Sequence, residues 1–415
     1  MNTLSYSKIN TKFCLELGRV KLLLEKANSL DKKFKIIHVA GTNGKGSVCS
    51  FIEKGLFSMG IKCGRFSSPE LFSIEDTITV NGVPIAKNEL ANISQSLAPL
   101  CDEVLKELGK SPSGFEVLFV CALIYFANKH CNTVILECGM GGLGDATNAI
   151  CKSDIAVFTK IDLDHVEYLG NTIEQITANK CGILREGINV FSAVQCEEAK
   201  KVIVNECKKL KCKLVFSPPC KIIKNEGLNI ITDIGYGNIK LSLAGNYQAS
   251  NAALSIAVLK EIGAQKKDIT YALTNAVNKA RLEEIEKNIY FDGAHNPLGV
   301  KELVESINKA CIPGKIGFAI GFMADKDISG CLDELKKLDN KNFEIYTANV
   351  RTNPRSEKSE NLAILARQKG YKAQSFDNIS DALITAKKNN DTVFAFGSLY
   401  MYKELFSKKG KLLCE

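Results

Sequence analysis

The sequence feature that most constrains the fold is an apolar strand followed directly by a glycine-rich turn and a helix. The strand is predicted over Phe34–Ala40 and the helix over Ser47–Met59, with glycines at 41, 44 and 46 between them. Short apolar runs continue to alternate with helical patterns further along the chain. Strands separated by helices need right-handed crossovers, so the pattern predicts a mainly parallel sheet covered by helices on both faces.

Two α/β domains are predicted, because 415 residues exceed one ordinary hydrophobic core. The first, residues 1–284, contains the glycine-rich turn and a mainly parallel sheet, and the second, residues 285–415, is smaller and Rossmann-like. The charged stretch Arg281–Asn288 is predicted to be a linker. Residues 218–243 predict a small antiparallel patch before a helix at Ala249–Ile262. Other strands are predicted at Thr133–Glu137, Ile155–Phe158, Asn189–Ser192, Lys213–Phe216, Ile289–Phe291, Ile316–Ile320, Phe343–Tyr346 and Thr392–Phe396, and other helices at Phe13–Ala27, Phe115–Asn128, Thr172–Ile183 and Glu197–Lys209.

Composition excludes several classes of protein. No apolar run approaches 18 residues, and the first residues lack a basic segment followed by an apolar one, so we expect a cytoplasmic protein without a membrane span. The sixteen cysteines are scattered without any C-x-x-C pair, which favours reduced, buried thiols over disulfides or a metal site. The net charge of +8 is not concentrated in a basic, aromatic-rich run, so nucleic acid is not an expected partner, whereas a polyanion such as ATP suits this charge.

The glycine-rich turn predicts a phosphate-binding loop. Backbone N–H groups at the start of a helix favour an anion, and Lys45 can reach the β- and γ-phosphates of a nucleotide. The strict pattern G-x-x-x-x-G-K-[ST] does not match, because position 39 is Val and Gly46 separates Lys45 from Ser47. A glycine-rich turn that binds no nucleotide remains the alternative. The candidate loop residues are Gly41, Thr42, Asn43, Gly44, Lys45, Gly46 and Ser47.

The string Gly-Thr-Asn-Gly-Lys-Gly-Ser resembles the phosphate loop of the folylpolyglutamate synthase/dihydrofolate synthase family, within the Mur ligase superfamily. Further segments resemble that family's motifs in the same order along the chain. These segments are Ser67-Ser68-Pro69, Phe115-Glu116, residues 137–148, Asp162-Leu163-Asp164-His165, residues 179–183, residues 243–254, Arg281-Leu282-Glu283, residues 292–297, residues 321–327 and Gly397-Ser398-Leu399-Tyr400.

The resemblance implies a set of site residues. Lys45, His165 and Lys180 would be catalytic, and Phe115 with Glu116 would contact the folate. Nucleotide contacts outside the loop would come from Asn251, Arg281, Asp292 and His295, and the metal ligands would be Ser68, Glu137, His165 and, if it is carbamylated, Lys180. Glu137 also ends an apolar strand, where α/β sheets place ligands. Taken alone, a histidine after a strand, such as His165, is more often a surface or capping residue, and a solvated helix lysine remains the alternative for Lys180.

The activity implied by the resemblance is an ATP-dependent ligase that adds L-glutamate to folate or dihydropteroate through an acyl phosphate. It would use ATP and Mg²⁺ and act as a monomer. The alternatives are another Mur-type amide ligase, a P-loop ATPase, and a nucleotide-binding regulator without ligase activity. A cell-wall Mur enzyme is disfavoured because only 37 residues precede His38.

The sequence departs from the family pattern at several positions. Glu70 stands in place of His, Tyr247 in place of His, and Ala280 in place of Gly, while Asp76-Thr77 lies in a segment where the family has Asn-Glu-Arg-Ile. The departures at residues 70–77 concern pterin specificity more than ATP or metal chemistry.

Overall fold

The computed structural model describes residues 16–218, 221–233, 235 and 237–406, and it divides the chain into two compact units. The first unit comprises Met1–Pro219 and Ser250–Ala276, and the second comprises Cys220–Ala249 and Val277–Glu415. The predicted boundary after residue 284 differs from this division. The chain therefore passes from the first unit to the second, returns, and leaves again.

The first unit is built on an eight-stranded sheet. Its strands are β1 Lys35–Ala40, β2 Cys63–Phe66, β3 Ile78–Val80, β4 Val83–Pro84, β5 Thr133–Glu137, β6 Ile155–Phe158, β7 Asn189–Ser192 and β8 Lys213–Phe216. Their order is β4-β3-β2-β5-β1-β6-β7-β8; β3 pairs antiparallel with both β2 and β4, and the other neighbours pair parallel. Because β1 lies between β5 and β6, its carboxyl end is a topological switch point, where α/β sheets place ligands.

Helices cover this sheet. They are α1 Gly18–Lys26, α2 Lys45–Ser58, α3 Lys87–Leu108, α4 Gly114–Asn128, α5 Val166–Leu169, α6 Ile173–Lys180, α7 Glu197–Lys209, α8 Gln248–Ile262, of which the first two residues belong to the second unit, and α9 Lys266–Asn275. Phe119 and Phe126 of α4 are fully buried, and removing each apolar side chain from water stabilises the fold by about 2 kcal/mol. Helix α2 is held by a buried ion pair, because Arg65 Nη1 of β2 lies 3.3 Å from Glu53 Oε2.

The second unit contains two sheets. A three-stranded antiparallel sheet has β9 Lys221–Glu226, β10 Asn229–Asp233 and β11 Asn238–Lys240, as predicted for the patch. A six-stranded sheet has the order β12-β13-β17-β14-β15-β16, parallel except for β12. Its strands are β12 Glu283–Glu286, β13 Ile289–Phe291, β14 Ile316–Ile320, β15 Phe343–Ala348, β16 Ala373–Phe376 and β17 Thr392–Phe396. Its helices are α10 Pro297–Ala310, α11 Ile328–Leu335, α12 Ser359–Gln368, α13 Ile379–Asn389 and α14 Tyr400–Leu405.

The linker predicted at Arg281–Asn288 is wrong. Its central half, Glu283–Glu286, forms β12, which pairs antiparallel with β13 after a tight turn in which Asn288 adopts a φ of +61°. Three glutamates obscured the strand in the sequence. At the edge of a sheet such charged side chains are tolerated and also discourage pairing with another chain.

Two predictions from composition can be compared with the described residues. All thirteen cysteines among them are free thiols, and most are buried as predicted, whereas Cys151 and Cys311 are exposed. Within the same part of the chain, no helix combines the length and the apolar character needed to span a bilayer.

Candidate functional site

The predicted phosphate loop lies at the switch point. Helix α2 begins at Lys45, and its N-cap residue, Gly44, has a φ of +88° and supplies no side-chain cap. Thr42 ties the loop to the segment after β6, because its Oγ1 donates to the Asp162 carbonyl at 2.9 Å and accepts from the Asp162 N–H at 3.0 Å. The Thr42 N–H also donates to the Lys160 carbonyl at 2.8 Å. The amides at the start of α2 therefore occupy the position in which helices bind anions.

Two glycines of the loop leave no space for a side chain. A Cβ on Gly41 would lie 1.8 Å from Thr159 Oγ1, and a Cβ on Gly44 would lie 2.4 Å from Asn251 Oδ1. Asn251 belongs to α8, so the structure brings this predicted nucleotide residue onto the phosphate loop. Glycine is required here by close approach as well as by its φ.

Two lysine amines converge on one backbone carbonyl of the loop. Lys45 Nζ donates to the Gly41 and Thr42 carbonyls at 3.1 Å each, and Lys180 Nζ donates to the same Gly41 carbonyl at 2.9 Å. Lys180 is only 3% exposed. Burial, and next the positive charge of Lys45, lower the pKa of Lys180 to about 7, against the opposing effects of Asp164 and Asp145. A substantial fraction of Lys180 is therefore neutral near neutral pH.

The segment after β5 is held by a buried carboxylate. Asp145 accepts hydrogen bonds from the Thr147 hydroxyl at 2.5 Å, the Thr147 N–H at 3.0 Å and the Met140 N–H at 2.9 Å. Burial raises the pKa of Asp145, while these hydrogen bonds oppose the shift. Gly142 N–H donates to Asn179 Oδ1 at 3.1 Å, which fixes the segment against the end of α6 next to Lys180.

His38 is a buried residue of the site to which sequence reasoning assigned no role. Its Nε2 lies 2.9 Å from Thr147 Oγ1 and 3.2 Å from Cys138 Sγ. Because the single Thr147 hydroxyl proton goes to Asp145, we assign the imidazole proton to Nε2, which donates to Thr147. Burial, and next the charge of Arg185, lower the pKa of His38 to about 3. A histidine inside an otherwise apolar strand was the available signal.

The predicted metal ligands lie on separate segments. Glu137 ends β5 in register with Val39 of β1, and Ser68 follows β2. His165 caps α5 with a φ of +50°, and its Nε2 lies 3.9 Å from the carboxylate of Asp164, which also favours the charged form of Lys180. In the part of the chain that the structure describes, no three His, Cys, Asp or Glu side chains form a metal cage by themselves.

Phe115 and Glu116, the predicted folate residues, have different surroundings. The Phe115 ring lies 5.5 Å from the Phe66 ring, and a Cβ on Gly139 would come within 2.9 Å of it, so Phe115 borders the segment after β5. Glu116 instead accepts the Ser113 N–H at 2.5 Å in a capping box and pairs with Arg19 at 3.3 Å. Its contacts are those of a residue that secures the start of α4.

In the second unit, three predicted nucleotide residues come together at the carboxyl end of β13. Asp292 Oδ1 accepts the Ala294 N–H at 2.7 Å, and its Oδ2 accepts the Leu282 N–H at 2.8 Å and the Tyr247 hydroxyl at 2.9 Å. His295 Nδ1 lies 2.8 Å from the Gly293 carbonyl. The Arg281 guanidinium packs on Gly293, where a Cβ would be 1.9 Å from Nη1.

Two family models match the chain in order. The Mur ligase middle domain matches residues 39–259, more than half of the chain, and the Mur ligase, glutamate ligase domain matches residues 280–399. The dihydrofolate synthase/folylpolyglutamate synthase of Bacillus subtilis strain 168 is 32% identical over 410 residues, which cover 94% of each chain. The chain belongs to the folylpolyglutamate synthase/dihydrofolate synthase family of Mur ligases.

Solved structures of this family share the fold. E. coli FolC in complex with DHPP and ADP is 26% identical, with a TM-score of 0.84 over 96% of this chain and 94% of that one. The bifunctional folylpolyglutamate synthase/dihydrofolate synthase of Yersinia pestis, complexed with AMPPNP and Mn ion, is 27% identical, with a TM-score of 0.82 over 96% and 95%.

Two departures from the family pattern have visible local roles. The Asp76 carboxylate accepts the N–H groups of Phe72 and Ser73 at 3.0 Å each and caps a short 3₁₀ helix. The hydroxyl of Tyr247 donates to Asp292. Each replacement is therefore integrated into the surrounding hydrogen bonds of this family member.

Proposed function

We propose that this chain is an ATP-dependent ligase that joins L-glutamate to a folate-type carboxylate through an acyl phosphate. The observation that carries the proposal is the convergence of Lys45 and Lys180 on the Gly41 carbonyl, at the switch point and beside the start of α2. Two amines and a helix N-terminus form a site for a polyanion at this position. The chain belongs to a family of amide ligases, which supports amide-bond formation as the reaction.

Nucleotide phosphates would be bound by the loop Gly41–Ser47. The amides at the start of α2 and the Lys45 ammonium would hold the β- and γ-phosphates, and Asn251 would support the loop at Gly44. In the second unit, Arg281, Asp292 and His295 are proposed as further nucleotide contacts. The complexes of related proteins with ADP and AMPPNP support a nucleotide of this type.

A divalent cation, which we propose to be Mg²⁺, would be held through Glu137, Ser68 and His165. The residues fit this group, because Mg²⁺ binds through one or two carboxylates together with substrate phosphates and does not require an all-protein cage. The described residues accordingly offer single oxygen ligands at strand ends and no preformed cluster. When bound, the cation offsets the negative charge that develops on the transferred phosphoryl group.

Lys180 would join this set as a carbamate. An ammonium beside a cation and Lys45 is unfavourable, and burial already moves its pKa to about 7, so the neutral amine is available. Its lone pair attacks CO₂, forming an N–C bond and releasing one proton, and the product carries a negative charge. The experiment is ¹³C NMR of the protein in ¹³C-bicarbonate, where a carbamate signal absent from Lys180→Ala is expected. Identical spectra would exclude the modification.

The reaction itself requires an activated carboxylate, because amide formation from a free carboxylate is unfavourable in water. The acceptor carboxylate oxygen attacks the γ-phosphorus while the bond to the bridging oxygen of ADP breaks. The amine of glutamate then attacks the acyl carbon and loses a proton, and phosphate leaves. The chain contributes by holding the phosphates in line through Lys45 and the α2 amides, and by excluding water.

The acceptor is proposed to be dihydropteroate, a reduced folate, or both, with Phe115 at its binding site. The deciding experiment supplies ATP, Mg²⁺ and glutamate with each acceptor separately, and measures ADP release and product mass. We expect ADP release that requires both acceptor and glutamate. ADP release without glutamate would favour a simple ATPase, and nucleotide binding without turnover would favour a regulator. Size-exclusion chromatography would test the monomeric state.

A further inference from the structure

The segment around Arg281 has an unusual backbone. Ala280 and Leu282, on either side of Arg281, have φ values of +58° and +43°. Non-glycine residues rarely adopt this left-handed region, because it brings Cβ too close to the backbone carbonyl oxygen. Both residues are also buried, with exposures of 0% and 2%. The surrounding structure must therefore hold this conformation against its local preference.

Two carboxylates hold this backbone conformation in place. Asp292 Oδ2 accepts the Leu282 N–H at 2.8 Å, and Glu283 Oε2 accepts the Ala280 N–H at 2.7 Å. The Ala280 carbonyl in turn accepts the Gly293 N–H at 2.9 Å. The backbone on both sides of Arg281 is thus fixed by hydrogen bonds to charged groups, which are stronger than bonds between neutral groups.

Each carboxylate is itself held by a tyrosine. The Tyr247 hydroxyl donates to Asp292 Oδ2 at 2.9 Å, and the Tyr402 hydroxyl donates to Glu283 Oε2 at 2.8 Å. Burial, followed by the negative charge of Asp292, raises the pKa of Tyr247 well above its ordinary value. Tyr247 is therefore a protonated donor at neutral pH.

This arrangement fixes the Arg281 side chain as well. The guanidinium lies on Gly293, and a Cβ at that glycine would come within 1.9 Å of Nη1. Gly293 directly follows Asp292, so the carboxylate that takes the Tyr247 hydrogen bond belongs to the same turn that contacts the guanidinium. A change at Tyr247 can therefore reach Arg281 through the hydrogen bond to Asp292 and then through Gly293, the next residue in the chain.

We propose that Tyr247 is a positioning residue that fixes Arg281 for nucleotide binding by way of Asp292. This inference rests on the proposed function, in which Arg281 contacts the nucleotide. It assigns a role to one of the residues at which this chain departs from its family, and it makes the aromatic hydroxyl, rather than the ring, the group that matters.

The test replaces Tyr247 with Phe, which keeps the ring and removes the hydroxyl. Loss of one hydrogen bond to a carboxylate corresponds to about a tenfold change in affinity when it is transmitted to the ligand. We expect the KM for ATP and the Kd for ADP, measured by calorimetry, each to rise about tenfold, with kcat changed by less than about twofold. Tyr346→Phe is the matched control, because the buried Tyr346 hydroxyl donates to Glu344 at 3.0 Å in the same unit. It should lower stability without changing either constant.

A double-mutant cycle separates positioning from a general loss of stability. Tyr247→Phe should have little further effect on ADP affinity in an Arg281→Ala background, because the two residues act in one chain of contacts. Equal Kd values for wild type and Tyr247→Phe, or fully additive effects in the cycle, would overturn the inference. Failure of the wild type to bind ADP at all would instead count against the proposed function.

Discussion

The two sets of candidate nucleotide residues, one in each unit, differ in the kind of unfavourable interaction that each contains. In the first unit, the amines of Lys45 and Lys180 meet at the Gly41 carbonyl, so the unfavourable term is electrostatic, and a bound polyanion or carbamylation of Lys180 would relieve it. In the second unit, the carboxylate of Asp292 accepts three hydrogen bonds and that of Glu283 accepts two, and the unfavourable term lies in the backbone at Ala280 and Leu282. Both sets contain an arrangement that is unfavourable by itself, but only the paired lysines of the first unit should respond strongly to ligand charge and pH.

The largest expected effect is the loss of Lys45. Lys45→Ala should lower acceptor- and glutamate-dependent ADP release by about 10³-fold, because a preorganised charge at the transferred phosphate is removed. Lys54→Ala, on the same helix but packed over the Phe57 ring, should remain near the wild-type rate. If both variants lose activity equally, the phosphate loop has no special part in the reaction.

The next largest effect is a pH-dependent change in stability that tests the cost of burying the Lys180 ammonium. An unfolded lysine keeps its proton up to its ordinary pKa of 10.5, whereas the folded one loses it near 7, so between these values the unfolded state binds more protons. Wild-type stability should therefore rise with pH in this window, and the advantage of Lys180→Met over wild type should shrink by about 2 kcal/mol between about pH 7 and about pH 9. Urea unfolding in CO₂-free buffer measures it. Parallel pH curves for the two proteins would contradict the prediction.

An effect of similar size separates close approach from backbone strain in the loop. Gly44 and Gly60 have similar φ values, +88° and +75°, but a Cβ would meet Asn251 at 2.4 Å at the first and nothing within 4 Å at the second. Gly60→Ala should cost about 1 kcal/mol from strain alone. Gly44→Ala should cost about 2 kcal/mol more and weaken ADP binding, as measured by thermal unfolding and calorimetry. Equal costs would show that the Asn251 contact is unimportant.

The smallest effect concerns the strained backbone of the second unit. Ala280→Gly should raise the free energy of unfolding by about 0.5 kcal/mol, because glycine adopts a φ of +58° without strain. Glycine loses more conformational entropy than alanine on folding, but the relief of strain should exceed this cost. The same substitution at Ala382, inside α13, should lower it by about 1 kcal/mol. Denaturant unfolding of both variants provides the comparison, and a loss of stability at both positions would show that the Ala280 backbone is not strained.

Elements with clear periodicity were predictable from the sequence. Strands such as Thr133–Glu137 and Thr392–Phe396 are continuous apolar runs, and the structure confirms their bounds. Helix α3 was not predicted; it contains Pro99, which weakens the helical signal. Strand β12 was taken for a linker because its glutamates resemble a solvated segment, although an edge strand tolerates them.

The site was predictable only as a list of residues. The family resemblance implied catalytic roles for Lys45 and Lys180, but their common hydrogen-bond acceptor depends on where β1 and α6 end in space. His38 and Tyr247 escaped assignment for the same reason, since their partners Thr147 and Asp292 are distant in sequence. Residue type gives the chemistry, whereas tertiary structure determines which groups meet.

The path of the chain between the two units has a consequence for synthesis. Helix α9 packs on α2, where Ser58 Oγ donates to Asp268 Oδ1 at 2.7 Å, and Leu259 of α8 fills the space over Gly55. The polypeptide that leaves the ribosome up to residue 219 therefore lacks the surface that covers its own phosphate-loop helix. That helix stays partly bare until translation passes residue 276, so a fragment cut at the first crossing should be a poor candidate for independent expression.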